Sequence, residues 1–173
     1  MQPPATRYEW TAGDGSKVTI RPIQPEDRDI ERAFVRNLSH SSKYLRFFSA
    51  IKGLSPEMLD RFTQVDYPQE MAFIATIQVE GKELEIGVAR YMPGSSEDSA
   101  EFAIVVADDW QGRGIGRELL RHLFAVAEES GFARIEGIVM STNENMLRLC
   151  RDLGFTVSPY PGDAQLVCIG KAL

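Results

Sequence analysis

Gly112, Gly114 and Gly116 occupy alternate positions between an apolar run, AEFAIVVA, and a strongly amphipathic stretch, GRELLRHLFAVAEESG. A strand, a glycine-rich turn and a helix in that order constrain the layout more than any other feature of the chain. Over residues 115–130, Leu119, Leu120, Leu123, Phe124 and Ala127 form one apolar helix face, and Gly131 closes the helix as a C-cap. The first amides of a helix have no intrahelical acceptor and sit at the positive end of its dipole. Glycines there let an anion reach the main chain with no Cβ in the way, and Arg113 and Arg117 add positive charge. A tight strand-to-helix turn holding no ligand is the competing reading. A dinucleotide fingerprint starting at Gly112 fails, because Arg117 stands where its third glycine belongs, and no G-x-x-x-x-G-K-[ST] loop exists.

The surrounding pattern is α/β. TRYEWTAGDGSKVTIRPI reads as two short strands around Asp14-Gly15, and EDRDIERAFVRNLS as a helix after Pro25. SSKYLRFFSAI and SPEMLDRFTQV follow as short helices. EMAFIATIQV and ELEIGVARYM are strands flanking the hairpin signature Glu80-Gly81-Lys82, and AEFAIVVA is a third long strand. After the amphipathic helix come a strand (ARIEGIVM), a helix (NENMLRLCRDLG) and a last strand (AQLVCIGKAL). The order β-β-α-α-α-β-β-β-α-β-α-β implies a mixed sheet with helices on its faces, an α/β (α+β) architecture.

At 173 residues the chain fits one domain, 1–173, with residues 1–7 expected to be a flexible lead. A net charge of −6 argues against a general nucleic-acid binder or an anionic-membrane binder. No stretch approaches a membrane span, and the start MQPPATRYEW lacks the apolar core of a signal peptide, so a cytoplasmic location is expected. Two cysteines, Cys150 and Cys168, and two histidines, His40 and His122, are too few and too scattered for a metal site. His122 falls on the polar side of its helix, and His40 lies in a serine-rich helix junction.

Gln111-Gly112-Arg113-Gly114-Ile115-Gly116 matches the Q/R-x-x-G-x-G/A signature of the GNAT acetyltransferase superfamily. NENMLRLCRDLGF, residues 143–155, resembles its second hallmark, an asparagine heading a helix that ends in leucine-glycine-phenylalanine. VTIRPIQPEDRDIERAFVRNLS resembles the usual first strand and helix, and residues 16–170 follow the superfamily order. SSKYLRFFS together with AEFAIVVADDWQGRGIG is most similar to the acetyltransferase domain of bacterial Pat-type protein lysine acetyltransferases.

The resemblance implies a GNAT fold, a mixed central sheet with helices on both faces and a splayed strand pair binding acetyl-CoA. Residues 100–106 and 134–140 would be the splayed strands. Main-chain amides of residues 112–117 would cradle the pyrophosphate, and Ile104, Val105 and Val106 would line the pantetheine arm. The implied donor-binding set is therefore Ile104, Val105, Val106, Gln111, Gly112, Arg113, Gly114, Ile115, Gly116, Arg117 and Asn143, with no metal. Asn143 would touch the pantetheine or the loop beside it; a plain helix N-cap is the alternative.

The transfer needs a base, because a free lysine with pKa near 10.4 is only about 0.1% neutral at pH 7.5. Alternation puts Glu101, Ala103 and Val105 on one face of their strand, where Glu101 is the sole carboxylate within an apolar run. It matches the glutamate of the Pat-type AEFA run, which implies a general base acting through water; a solvated strand residue is the alternative. Asp108 and Asp109 shape the loop or the charge at its mouth. Many superfamily members carry a tyrosine seven residues after the motif asparagine as the acid for the departing thiolate. Here that position is Cys150, either a thiol donor or inert packing, with Tyr91 and Tyr160 as fallbacks.

The acceptor would be walled by residues 39–69, whose sequence encodes no one substrate. The implied reaction is acetyl transfer to a primary amine, a protein lysine (an acyl-CoA synthetase among the candidates) or a small amine. A non-catalytic acyl-CoA-binding regulatory module is the reading of a different class. No nucleic-acid or membrane partner is expected, and the chain is expected to be a monomer or homodimer.

Overall fold

Two consecutive residues with positive φ, Glu80 (51°) and Gly81 (76°), reverse the chain between strands β3 (Met71–Val79) and β4 (Lys82–Pro93). That is the conformation of a tight hairpin turn whose twist suits the flanking strands. Around this hairpin the computed structural model, which describes residues 1–173, builds an eight-stranded sheet. The N-terminal side adds β1 (Tyr8–Thr11) and β2 (Lys17–Pro22), and the C-terminal side adds β5 (Ser99–Val106), β6 (Arg134–Met140), β7 (Thr156–Pro159) and β8 (Leu166–Ala172). The strand order is β1-β2-β3-β4-β5-β6-β8-β7, and only β5 and β6 run parallel. No helix is long and apolar enough to cross a membrane.

Helices cover both faces, as the alternating pattern requires. On one face α4 (Ile115–Glu129) and α5 (Glu144–Asp152) bury Leu119, Leu120, Leu123, Leu147 and Cys150 against Phe73, Ile86, Phe102 and Ile169. On the other face α1 (Arg28–Asn37), α2 (His40–Phe47) and α3 (Pro56–Thr63) gather around Phe34, Val35, Leu59, Ile74 and Val88. The expected elements are all present. The addition is β7, missed because its four residues are all exposed, it ends in Pro159, and it pairs only with β8 at the sheet edge. His122 is a correction: it is buried, stacked on Tyr8 at 3.9 Å and within 3.3 Å of Glu118. The helix face it occupies looks polar in the sequence, but β1 folds over it.

A bulge in β4 has a charged consequence. Ala75 pairs with Gly87 and Thr76 with Glu85, so Ile86 is skipped. Glu85 therefore lies on the α1 side together with Arg90, whose guanidinium meets Glu31 Oε1 at 3.3 Å and donates to the Phe62 carbonyl at 3.1 Å. Glu31 Oε2 and both Glu85 oxygens are buried with no other partner. Burial, and after it the Glu31 charge, pushes the Glu85 carboxyl well above the usual carboxylate range. The folded protein thus retains a proton that the unfolded chain releases, and stability falls as pH rises from the ordinary carboxylate range toward the raised value. Glu85→Gln keeps a hydrogen-bond donor and removes the ionisation. Its melting temperature is expected to exceed the wild type's by more at about pH 8 than at about pH 5, measured by calorimetry; an equal or smaller gain at the higher pH contradicts a retained proton.

Candidate active site

Strands β5 and β6 pair only over Ser99↔Arg134, Ala100↔Ile135 and Glu101↔Glu136. Beyond this they part: β5 continues along β4 to Val106, and β6 continues along β8 to Met140. Each strand keeps one partner and presents an unpaired edge to the gap, a row of main-chain groups available to another extended chain. The junction is tight. A Cβ on Gly137 would sit 3.3 Å from both the ring and the carbonyl oxygen of Phe102, and 3.4 Å from Ile169. The Phe102 ring is itself pinned by Phe124 and Phe155 at centroid distances of 5.3 and 5.4 Å.

A cleft of about 180 Å3 occupies the gap, lined on its strands by Glu101, Ala103, Ile104, Gly137 and Val139 and closed by Asn143 and Met146. The end of α2 supplies Leu45, Arg46 and Phe48, and β4 supplies Arg90 and Met92. Asp108 anchors the opposite, N-terminal end of α2: its carboxylate accepts from Ser39 N, Ser39 Oγ (2.7 Å) and Ser42 Oγ (2.9 Å) at the helix start. Burial opposes its ionisation, yet those hydrogen bonds hold it below the usual range.

The glycine loop enters α4 beside the cleft. Gly112 and Gly114 hold φ values of 75° and 88°, which favour glycine, whereas Gly116 is already helical. A Cβ at 116 would make ordinary contacts with Ile104 (3.5 Å) and Leu149 (3.6 Å), so the third glycine is not demanded by the backbone. No main-chain hydrogen bond outside the regular elements starts at residues 112–117, and the first amides of α4 lack intrahelical acceptors by geometry. Ile115 is buried under the loop. The flanking side chains are partly committed. Gln111 Nε2 donates to the Val106 carbonyl at 3.0 Å, Arg113 pairs with Asp14 at 2.6 Å and lies over the Trp110 ring, and exposed Arg117 stands 3.6 Å from Asp152. Val105 faces away, toward the core under α1 to α3. Asn143 caps α5 by accepting from Met146 N at 3.3 Å and also lines the cleft, so its two sequence readings are compatible.

Glu101 sits where the strands part, half-buried and without a hydrogen bond from the chain. Burial, then the neighbouring Glu136 charge, raises its carboxyl above the ordinary range, with Arg46 opposing. Glu136 is charged because Ser95 and Ser99 donate to it, which outweighs its own burial. The cleft thus sets one acid, Glu101 on β5, against a basic wall of Arg46 and Arg90, with Glu136 beside Glu101 but outside the cleft lining. Arg46, Arg90 and Glu136 were not singled out from the sequence. Their roles arise across strands and helices, and the only local sign is a charge at Arg46 inside Leu45-Arg46-Phe47-Phe48.

Cys150 is fully buried in the α4–α5 core and does not line the cleft; burial pushes its thiol up to about 11. Tyr91 is also buried, with its hydroxyl on Pro68 O and Ser130, and Tyr160 and His40 do not line the cleft. Cys150→Ala is expected to leave kcat within roughly threefold and to cost about 1 kcal/mol of stability, as a buried-atom deletion does. A hundredfold loss of kcat at unchanged melting temperature would make the thiol a proton donor.

Known proteins share this fold. A family model described as an acetyltransferase (GNAT) domain matches residues 17–156. The chain is 40% identical over 160 residues to "Acetyltransferase PA5475" of Pseudomonas aeruginosa, covering 92% of this chain and 86% of that protein. It is 31% identical over 137 residues to "Acetyltransferase Pat" of Mycolicibacterium smegmatis, covering 78% of this chain but 40% of that longer protein. The solved GNAT domain of S. lividans PAT superposes with a TM-score of 0.88 at 30% identity over 100% of both chains. By its fold, its forked strands and these matches, the chain belongs to the GNAT acetyltransferase family and is an N-acetyltransferase.

Proposed function

We propose that the protein transfers the acetyl group of acetyl-CoA to a lysine side chain of a protein, with Glu101 as general base. The observation that carries this reading is a carboxyl at the fork of β5 and β6, raised by burial and by Glu136 and hydrogen-bonded to nothing in the chain. When bound, acetyl-CoA supplies a thioester carbonyl that a neutral amine attacks, forming an N–C bond as the C–S bond breaks. The amides of residues 112–117 would receive the pyrophosphate, and the free edges of residues 102–106 and 137–140 would hold the pantetheine amides. The amides fit such a donor because nothing in the chain accepts from them, and the edges fit it because β5 and β6 do not pair beyond Glu101 and Glu136. Gln111 holds the end of β5 in place rather than the donor, since its amide already serves Val106.

Glu101 accepts the proton that the acceptor ammonium must lose, directly or through one water. It does so only when ionised, so kcat/KM should rise with pH through its raised pKa. Cys150, buried and shifted up to about 11, leaves the CoA thiolate to be protonated by solvent. The protein-lysine part of the reading draws on the resemblance of SSKYLRFFS and AEFAIVVADDWQGRGIG to Pat-type domains. It draws also on Tyr44 and Phe48, exposed one turn apart at the α2 end that lines the cleft, an apolar lip on which a polypeptide could lie. A thiol-release assay with acetyl-CoA across lysine peptides, acyl-CoA synthetases and polyamines tests it. Turnover with lysine-bearing substrates is expected; turnover confined to polyamines would assign the enzyme to small amines.

A further inference from the structure

The basic wall of the cleft has no part in the chemistry described so far. Arg46 projects from the last turn of α2 into the space that Glu101 faces. Its guanidinium has no ion pair and no hydrogen bond to the chain and lies 4.8 Å from the centroid of the Phe47 ring. Other cations nearby are engaged: Arg90 is paired with Glu31, Arg61 with Glu70, and Lys43 donates to the carbonyls of Arg36 and Lys52. A planar guanidinium with five donors, held half-buried beside a second guanidinium, has the geometry to receive an incoming carboxylate.

The side of the sheet matters. Ile104 and Val106 turn toward the core under α4, whereas Val105 turns toward the α1–α3 side. Strand alternation therefore directs Glu101 and Ala103 to the same side as α2. The end of the helix that supplies Arg46 thus lies on the same side of the sheet as the base. Phe48 keeps α2 from running on past this point, since its φ of 58° ends the helix without a glycine.

Resting on the reading of this cleft as the acceptor site, we propose that Arg46 selects an acceptor carrying a carboxylate beside its amine: the guanidinium holds the carboxylate while Glu101 takes the proton of the ammonium. Glu101 and Arg46 on the same cleft then match an ammonium–carboxylate pair. The carboxylate belongs either to an acidic residue next to an acceptor lysine or to a free amino acid, and the two sources are separable.

The test uses the whole chain with acetyl-CoA and four acceptors: one lysine peptide flanked by Glu, the same peptide flanked by Ala, the same flanked by Lys, and free lysine. The wild type is expected to favour the Glu-flanked peptide or free lysine over the Lys-flanked peptide by about tenfold or more in kcat/KM. Arg46→Ala should flatten that preference, and Arg46→Glu should turn it toward the Lys-flanked peptide, both with an unchanged KM for acetyl-CoA. Calorimetry with the Nε-acetylated Glu-flanked peptide, in the absence of acetyl-CoA, should show the same loss of binding in both variants. Wild-type activity that is equal on all peptides overturns the role of Arg46 and leaves the lysine reading standing. Activity on free lysine alone, lost with Arg46, supports the selector and removes the protein acceptor. An equal loss on every acceptor with a raised KM for acetyl-CoA would place Arg46 on the donor and overturn the proposal.

Discussion

Replacing Glu101 by Gln is expected to lower kcat by about 10² to 10⁴, or about 3 to 5 kcal/mol of barrier, while acetyl-CoA affinity stays within about twofold. Gln keeps the volume of the side chain at the fork and removes the basic oxygen. Because Glu101 accepts no hydrogen bond from the chain, the substitution leaves no donor stranded, and the fold should be unaffected. Wild-type activity should rise with pH through an ionisation above the ordinary carboxylate range, set first by burial and then by Glu136. That rise should vanish in the variant, leaving only the rise due to the acceptor amine. Glu136→Gln sharpens the point: with the neighbouring charge gone, the Glu101 ionisation should move down in pH. Turnover of Glu101→Gln at the wild-type rate, with chemistry limiting, would remove Glu101 from the role of base.

A charge placed in the glycine loop should be nearly as damaging to donor binding as the loss of Glu101 is to catalysis. Gly112 has a φ of 75° and nothing within 4 Å of where a Cβ would sit, and Asp and Asn are the side chains that best tolerate that conformation. Gly112→Asp is therefore expected to fold and to weaken acetyl-CoA binding by about tenfold to a hundredfold, by setting a carboxylate against the pyrophosphate. Gly112→Asn adds the same bulk without the charge, and should fall between the two. Titration calorimetry at two salt concentrations separates the effects, since only the Asp penalty should shrink with salt. Equal affinity in all three proteins would reduce the loop to a turn.

The donor side of the site is legible in the sequence because it is local. The glycine loop, its helix and the Asn143 cap are contiguous, and their hydrogen-bonding needs follow from helix geometry alone. The alternation that isolates Glu101 is also local, and the structure places Glu101, Ala103 and Ile104 along the cleft. What surrounds Glu101 is not local. Glu136 faces it across the one parallel strand pair, Arg46 comes from a helix more than fifty residues earlier, and Glu85 turns toward Glu31 only because Ile86 is bulged out of register. No periodicity encodes such meetings. The burial of His122 is non-local for the same reason: Glu118 and Arg121 beside it on the helix are charged, but Tyr8 from the first strand covers it. The short strand β7 leaves no mark in the sequence, because an exposed four-residue edge carries no hydrophobic alternation.

Amide hydrogen exchange, with and without acetyl-CoA, measures most directly whether the fork and the glycine loop together form the donor site. Slowed exchange is expected at the amides of residues 112–117, which have no acceptor in the chain, and along the facing edges of residues 102–106 and 137–140, with α1 and the β3–β4 hairpin unchanged. Exchange at residues 112–117 that stays at its ligand-free rate under saturating acetyl-CoA, with protection appearing elsewhere, would contradict the assignment of donor binding to this fork.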